Sequence, residues 1–221
     1  MSASADLFEV TVAAGGASAR RITTTAYVAA MMSTSPGDDA LNSYIDEVSA
    51  KVALYCGLAN DGVNPPTFAR ETCRATWYST CHDRGQKLLL PWRTPVASIT
   101  SVVEDGTTLD AAAYKLLPGA MLLRLSSDVP SCWSTGKIVV VYVVGWADAL
   151  SAHAPADLQA AVAEQVKYRS MQVGKDYSLR SETVPDVISQ TFAVAGGDSI
   201  SKNGLLVQVE AALAPYRNIA L

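Results

Sequence analysis

The sequence predicts an α+β protein: a mainly helical core of about four helices, with an antiparallel β-insertion between the second and third long helices. Three observations predict it. Apolar residues recur at helical spacing over 36–57. The period then falls from 3.6 to 2 across short, Gly-punctuated segments between 66 and 144. Helical spacing returns over 155–174. A chain of 221 residues buries roughly 70% of its unfolded surface, so it folds without disulfide or metal staples.

Residues 1–35 read as an N-terminal arm and a short helix. The first twenty are small and polar around Gly15-Gly16, a flexible arm or a short strand pair. Ile22, Tyr27, Val28 and Met31 then share one face of a helix over 21–33, although three consecutive threonines oppose a helix start there. Residues 36–65 hold the first core helix and a turn. Ser35-Pro36-Gly37-Asp38-Asp39 combines a capping serine, a first-turn proline and acids at the positive end of the dipole. Leu41, Tyr44, Ile45, Val48, Val52 and Tyr55 form the stripe, and the helix ends near Gly57.

Residues 66–150 form the predicted β-insertion. Its strands are expected at Phe68–Tyr78, Lys87–Leu90, Ile99–Val103, Tyr114–Leu117, Met121–Leu125 and Lys137–Val144, separated by turns such as Glu104-Asp105-Gly106 and Pro118-Gly119. Residues 151–221 hold the C-terminal helices. Pro155-Ala156-Asp157 opens one that runs through Leu158, Ala161, Val162 and Val166. Residues 175–203 read as a long polar loop with one short strand near Val187–Val194, ordered on assembly with a partner. Leu205 to Tyr216 closes the chain as a short helix.

The balance of charge excludes several functions. Charged residues are 17% of the chain and the net charge is −4, with a pI near 5.1. Arg20-Arg21 is the sole adjacent basic pair, so tight, phosphate-neutralising DNA binding is not expected as the main function. No run approaches the roughly 20 apolar residues of a membrane helix. The first residues have neither a basic n-region nor an apolar h-region, so no signal peptide is expected.

The candidate chemistry is thin. Four cysteines, Cys56, Cys73, Cys81 and Cys132, make no C-x-x-C pair, and reduced thiols are expected. Cys73, Cys81 and His82 match no zinc spacing. Ser199-Ile200-Ser201-Lys202 has the form S-x-x-K but lacks the partner motifs that such enzymes need. His82 and His153 stand beside no nucleophile elbow. The acid pairs are explained by helix-start electrostatics and turns. No catalytic residue, metal site or cofactor is expected.

A resemblance supplies what the chemistry does not. Leu90-Pro91-Trp92-Arg93-Thr94-Pro95-Val96 precedes Ile99-Thr100-Ser101-Val102-Val103-Glu104-Asp105-Gly106. Tyr114, Met121-Leu122-Leu123-Arg124-Leu125, Trp133, Lys137–Tyr142, Gly145-Trp146 and Pro155-Ala156-Asp157-Leu158 follow in order, and Leu213-Ala214-Pro215-Tyr216-Arg217 closes the series. This ordered set resembles the head–tail adaptor (connector) family of tailed bacteriophages and related gene transfer agents, over residues 36–217. The arm and residues 66–86 depart from that pattern. The resemblance implies a structural virion protein at the head–tail junction, made in the host cytoplasm. Its copies form a ring, a dodecamer, that docks on the portal protein and meets a neck, stopper or tail protein. Genomic double-stranded DNA passes through the bore without sequence specificity. The alternatives are a stopper or tail-terminator ring, a hydrolase with a β-domain, or a surface-binding module built on Trp77, Trp92, Trp133 and Trp146.

The expected portal-docking element is the C-terminal segment. Leu205, Leu206, Val209 and Leu213 give one apolar stripe; Pro215 ends the helix, and Tyr216 and Arg217 extend beyond it. The competing expectation is that the same stripe closes the subunit's own core.

Overall fold

The computed structural model describes residues 5–32, 37–60, 62–78, 85–91, 95–146, 150–172 and 200–217, and the backbone alone at 181–184 and 188–191. In chain order the elements are β1 (Leu7–Val12), α1 (Ala17–Arg20), α2 (Thr25–Ala30) and α3 (Asp38–Tyr55). Next come β2 (Glu71–Trp77), β3 (Lys87–Leu89), β4 (Val96–Glu104) and β5 (Thr107–Thr108). Then follow β6 (Tyr114–Leu117), β7 (Met121–Ser126), β8 (Val129–Pro130) and β9 (Ile138–Val144). The last are α4 (Leu150–His153), α5 (Ala156–Gln172), β10 (Ser181–Val184), β11 (Ile188–Thr191) and α6 (Val207–Leu213).

The α+β class stands, but the emphasis on a mainly helical core of about four helices is corrected. The sheets are large, and each half has its own core. Only α3 and α5 are long, and β2 to β9 lie between α3 and α4. The N-terminal segment also contributes a strand: β1 pairs antiparallel with β2, Phe8 opposite Ala75 and Val10 opposite Cys73. Its alternation puts Phe8 and Val10 against the sheet core, a period too short to stand out from the polar residues around it.

The helical core forms as the apolar spacing requires. Leu41, Ile45, Val48 and Val52 of α3 are buried against Leu158, Ala161, Val162 and Val166 of α5, and Val209 and Leu213 of α6 complete the layer. Asp38 and Asp39 occupy the first turn of α3, where the helix dipole favours them. At its other end the N–H groups of Gly57 and Leu58 return to the carbonyls of Leu54 and Ala53, satisfying acceptors that the last turn would otherwise leave open. Two of the three threonines stay outside the helix and the third, Thr25, opens it: Thr24 caps α2 through its hydroxyl, which accepts from the N–H of Tyr27 at 3.1 Å. Ser35-Pro36, the predicted start of α3, lies outside the described residues.

The sheet core lies between two antiparallel layers. The larger runs β1-β2-β9-β4-β5 and the smaller β3-β7-β6, with β8 on β7. Strand β9 shows why the layers close. Ile138, Val140, Tyr142 and Val144 are buried while the residues between them are half-buried, the alternation of a strand with one face on a core. Trp77 of β2 and Val102 of β4 extend the same face, and Leu88 and Leu122 of the smaller sheet fill the space opposite. One polar bridge ties the layers. The Arg124 guanidinium on β7 donates to Glu104 on β4 at 3.0 Å and to the carbonyls of Ala113 and Leu125. The other Glu104 oxygen accepts the Ser134 N–H at 2.7 Å.

Candidate functional site

The two cores meet where β9 ends. Gly145 has φ +89° and crosses the backbone at Ala69 so closely that a Cβ there would lie 2.1 Å from the Ala69 carbonyl oxygen. The next residue, Trp146, donates its N–H to the Phe68 carbonyl at 3.1 Å and stacks on the Phe68 ring at 5.1 Å.

The C-terminal segment closes over this junction. Tyr216 meets Trp146 edge-on at 6.0 Å. Its hydroxyl donates to the carboxylate of Asp157, 2.7 and 2.8 Å from the two oxygens. Burial, and then Asp157, push its phenol well above the ordinary tyrosine range, so it stays a neutral donor. The Arg217 guanidinium lies 4.9 Å from the Tyr55 ring centre. Beneath it Cys56 is fully buried; burial pushes its thiol up to about 12 despite the opposing pull of Arg217.

The approach to α6 is tied down in the same way. The Leu206 N–H donates to Gln165 Oε1 at 2.8 Å, Lys51 Nζ donates to the Gly204 carbonyl at 2.9 Å, and the Ser201 hydroxyl donates to Glu210. Leu205, Leu206, Val209 and Leu213 are all buried in the helical core. Periodicity announced that α6 had an apolar face, and the subunit itself occupies it. The outward side of the segment presents Val207, Ala211, Ala214, Pro215 and Arg217, with Tyr216 half-buried.

The other candidates are dispersed. Cys73 is buried in the sheet core, while Cys132 is exposed. Ser201 bonds Glu210, Lys202 is exposed and His153 is exposed in α4. Cys81, His82, Trp92 and Ser199 lie outside the described residues. Among the described residues there is no group of three or more His, Cys, Asp or Glu able to hold a metal, and no helix is long and apolar enough to cross a membrane. Trp77 and Trp133 plug the sheet core and Trp146 packs at the junction, so those three do not form an exposed aromatic platform. Sequence reasoning missed the junction itself. Gly145-Trp146 was visible, but its partners Phe68, Asp157 and Tyr216 are distant in the chain.

No protein-family model matches the chain, and no curated protein is similar in sequence. Solved structures are similar in fold. A chain from the neck of a native GTA particle, computed with C12 symmetry, has a TM-score of 0.56 at 18% identity, covering 97% of each chain. A chain from the neck of an empty GTA particle, computed with C6 symmetry, has a TM-score of 0.55 at 19% identity, again covering 97% of each. A chain from the virion of a native gene transfer agent particle has a TM-score of 0.52 at 19% identity.

Proposed function

We propose that this chain is a structural subunit of the neck of a phage-like particle: a head–tail adaptor whose copies form a ring on the portal, with the genome passing through the bore. One observation carries the reading. The fold likeness to neck chains spans 97% of both molecules, so it covers the helical half, the sheet half and the junction between them. The symmetries of those necks favour a ring of six or twelve copies here. An acidic subunit suits a conduit, because a strongly basic bore would retain DNA electrostatically.

Within this reading the portal is met by the outer side of the C-terminal segment. The buried stripe of Leu205, Leu206, Val209 and Leu213 holds that segment on the subunit, and Val207, Pro215 and Arg217 face outward. The segment is anchored at both ends, by Gln165 and by Asp157, and so presents a preformed surface.

Negative-stain imaging of the purified chain mixed with portal-bearing heads tests the proposal. A ring at the portal vertex is expected. Val207→Glu, in a residue 50% exposed, should leave the circular dichroism unchanged and abolish attachment. Rings that join tails but never portal-bearing heads would instead identify a tail-completion protein.

A further inference from the structure

Two exposed features of the subunit are complementary and stand on opposite sides of it. The first is a cleft of about 180 Å³ between α1, α3 and the Pro65-Pro66 turn, more than the roughly 150 Å³ that accepts a benzene ring. Its walls are largely apolar: Ala17, Ala50 and Pro65 line it and are exposed. Two charged side chains line it as well. Asp46 is taken up by Arg21, whose Nε and Nη2 donate to its two oxygens at 2.7 and 3.0 Å. Arg20 has no such partner. Its hydrogen bond from Nη2 to the Ala14 carbonyl is 3.3 Å long, and its Nε is buried without an acceptor. Among the described residues no carboxylate pairs with it. The cleft thus offers apolar walls and one uncompensated positive charge, which suits an acid beside an aliphatic side chain.

The second is the tip of the β7–β8 hairpin. Ser126 pairs with Val129, so Ser127 and Asp128 alone make the turn, and both are left-handed, at φ +51° and +64°. Two-residue turns of this hand favour glycine at the second position; here an exposed aspartate stands there instead. Val129 follows it and is 62% exposed. Among the described residues Asp128 has no ion pair. One other exposed acid among them adjoins an exposed large apolar side chain, Asp6 beside Leu7, and its carboxylate already accepts the Tyr78 N–H.

The cleft hangs on the β1 side of the larger sheet, because Arg20 bonds Ala14, two residues beyond β1. The tip stands on the β5 side, where it lines a hollow with Asp110, two residues beyond β5. With the order β1-β2-β9-β4-β5, those edges are four strand spacings apart, about 19 Å, so tip and cleft do not meet within one subunit.

We infer that the β7–β8 tip of one copy enters the α1–α3 cleft of the adjacent copy, with the Asp128 carboxylate on the Arg20 guanidinium and Val129 on the alanine and proline walls. Two different surfaces carried by every copy, joined head to tail, are what a closed ring requires. The inference rests on the ring reading above and names the contact between its subunits.

The test uses the full chain, read by sedimentation velocity and negative stain. Asp128→Gly removes a side chain from a left-handed position, so its thermal melt should be unchanged or higher. The concentration it needs for ring assembly should nevertheless rise at least about tenfold. Ala50→Glu, at an exposed position on the cleft wall, should do the same, and adding Asp128→Lys to it should bring assembly back to within about threefold of the starting chain. Normal assembly by Asp128→Gly overturns the proposal, including the case where its rings no longer bind heads, which would give the tip to another partner. So does a combined variant that assembles no better than Ala50→Glu alone. If Ala50→Glu unfolds the chain, Arg20→Ala with Asp128→Gly supplies a cycle in which strictly additive losses overturn the proposal. If the unaltered chain forms no rings, alone or on portal-bearing heads, the ring reading and this contact fall together; rings indifferent to Asp128→Gly remove the contact alone.

Discussion

Replacing Gly145 with alanine tests the idea that the two cores are joined by a backbone crossing with no room for a side chain. The residue has φ +89°, which costs an L-residue about 1–2 kcal/mol. The added Cβ would lie 2.1 Å from the oxygen and 2.4 Å from the carbon of the Ala69 carbonyl, and 2.8 Å from the Arg70 nitrogen. These are backbone atoms, so the crossing itself must move, and overpacking of that kind costs about 1–3 kcal/mol. The lower entropy of an unfolded chain with alanine returns about 0.5–1 kcal/mol. A net loss of about 1–4.5 kcal/mol follows, centred near 3. Gly119→Ala is the control. Its φ is +78°, yet the nearest atom to its Cβ, the terminal methyl of Met121, is 3.9 Å away. It should lose only about 1 kcal/mol. Urea unfolding of both variants, with the midpoint shift read at constant slope, gives the comparison. Equal losses would mean that the conformation accounts for the whole cost and the crossing for none.

Stability should fall as pH rises from about 9 toward 12. The unfolded Cys56 thiol ionises near its ordinary 9.0, whereas the folded thiol holds its proton up to about 12. Cys56→Ala should lack up to about 1.4 kcal/mol per pH unit of that slope in paired denaturant titrations. Tyr216→Phe removes the hydrogen bond to Asp157 and should cost about 1 kcal/mol. Tyr216→Ala should cost more, because it also removes the edge contact with Trp146, and thermal melts of the two variants separate the terms. Arg124→Met strands a Glu104 side chain that is only 11% exposed; it should cost about 3 kcal/mol, part of which Glu104→Gln recovers in the double variant. Deleting residues 212–221 removes the buried Leu213 and the Tyr216 clasp, and loss of the cooperative circular dichroism melt is expected.

The parts of the fold that were legible are those where local pattern and final burial coincide. The stripe of α3 needed no knowledge of its partner, since Leu41, Ile45, Val48 and Val52 are apolar whichever helix covers them. The same holds for the alternation in β9. What periodicity could not supply was the partner. The stripe at Leu205, Leu206, Val209 and Leu213 was legible as a stripe, but its destination depended on whether α3 and α5 left a groove open, and they do. The place of β1 was hidden for the opposite reason: a six-residue strand with Leu7 and Val12 exposed carries little pattern, and its contribution lies in pairing with residues some sixty positions away. Polar residues with long-range roles left no local trace. Glu71 is buried and accepts the Ala14 N–H at 3.1 Å, and Arg124 joins two sheets, yet each reads in isolation as an ordinary strand charge.

The helical core is built from both ends of the chain, with the sheet core between them in sequence. Synthesis on the ribosome therefore completes the two halves in a set order. When Val144 has emerged, every strand of the two layers that enclose the sheet core is present, including β1, so that half can close. Helix α3 has also emerged by then, but Leu158, Val162, Val166 and Leu213, which cover its apolar side, have not. For the time needed to translate a further seventy or so residues, several seconds at typical rates, the nascent chain carries a finished β-module tethered to a sticky helix. Newly made subunits are most vulnerable to aggregation in that interval, and a chaperone acting on this protein would have its substrate there.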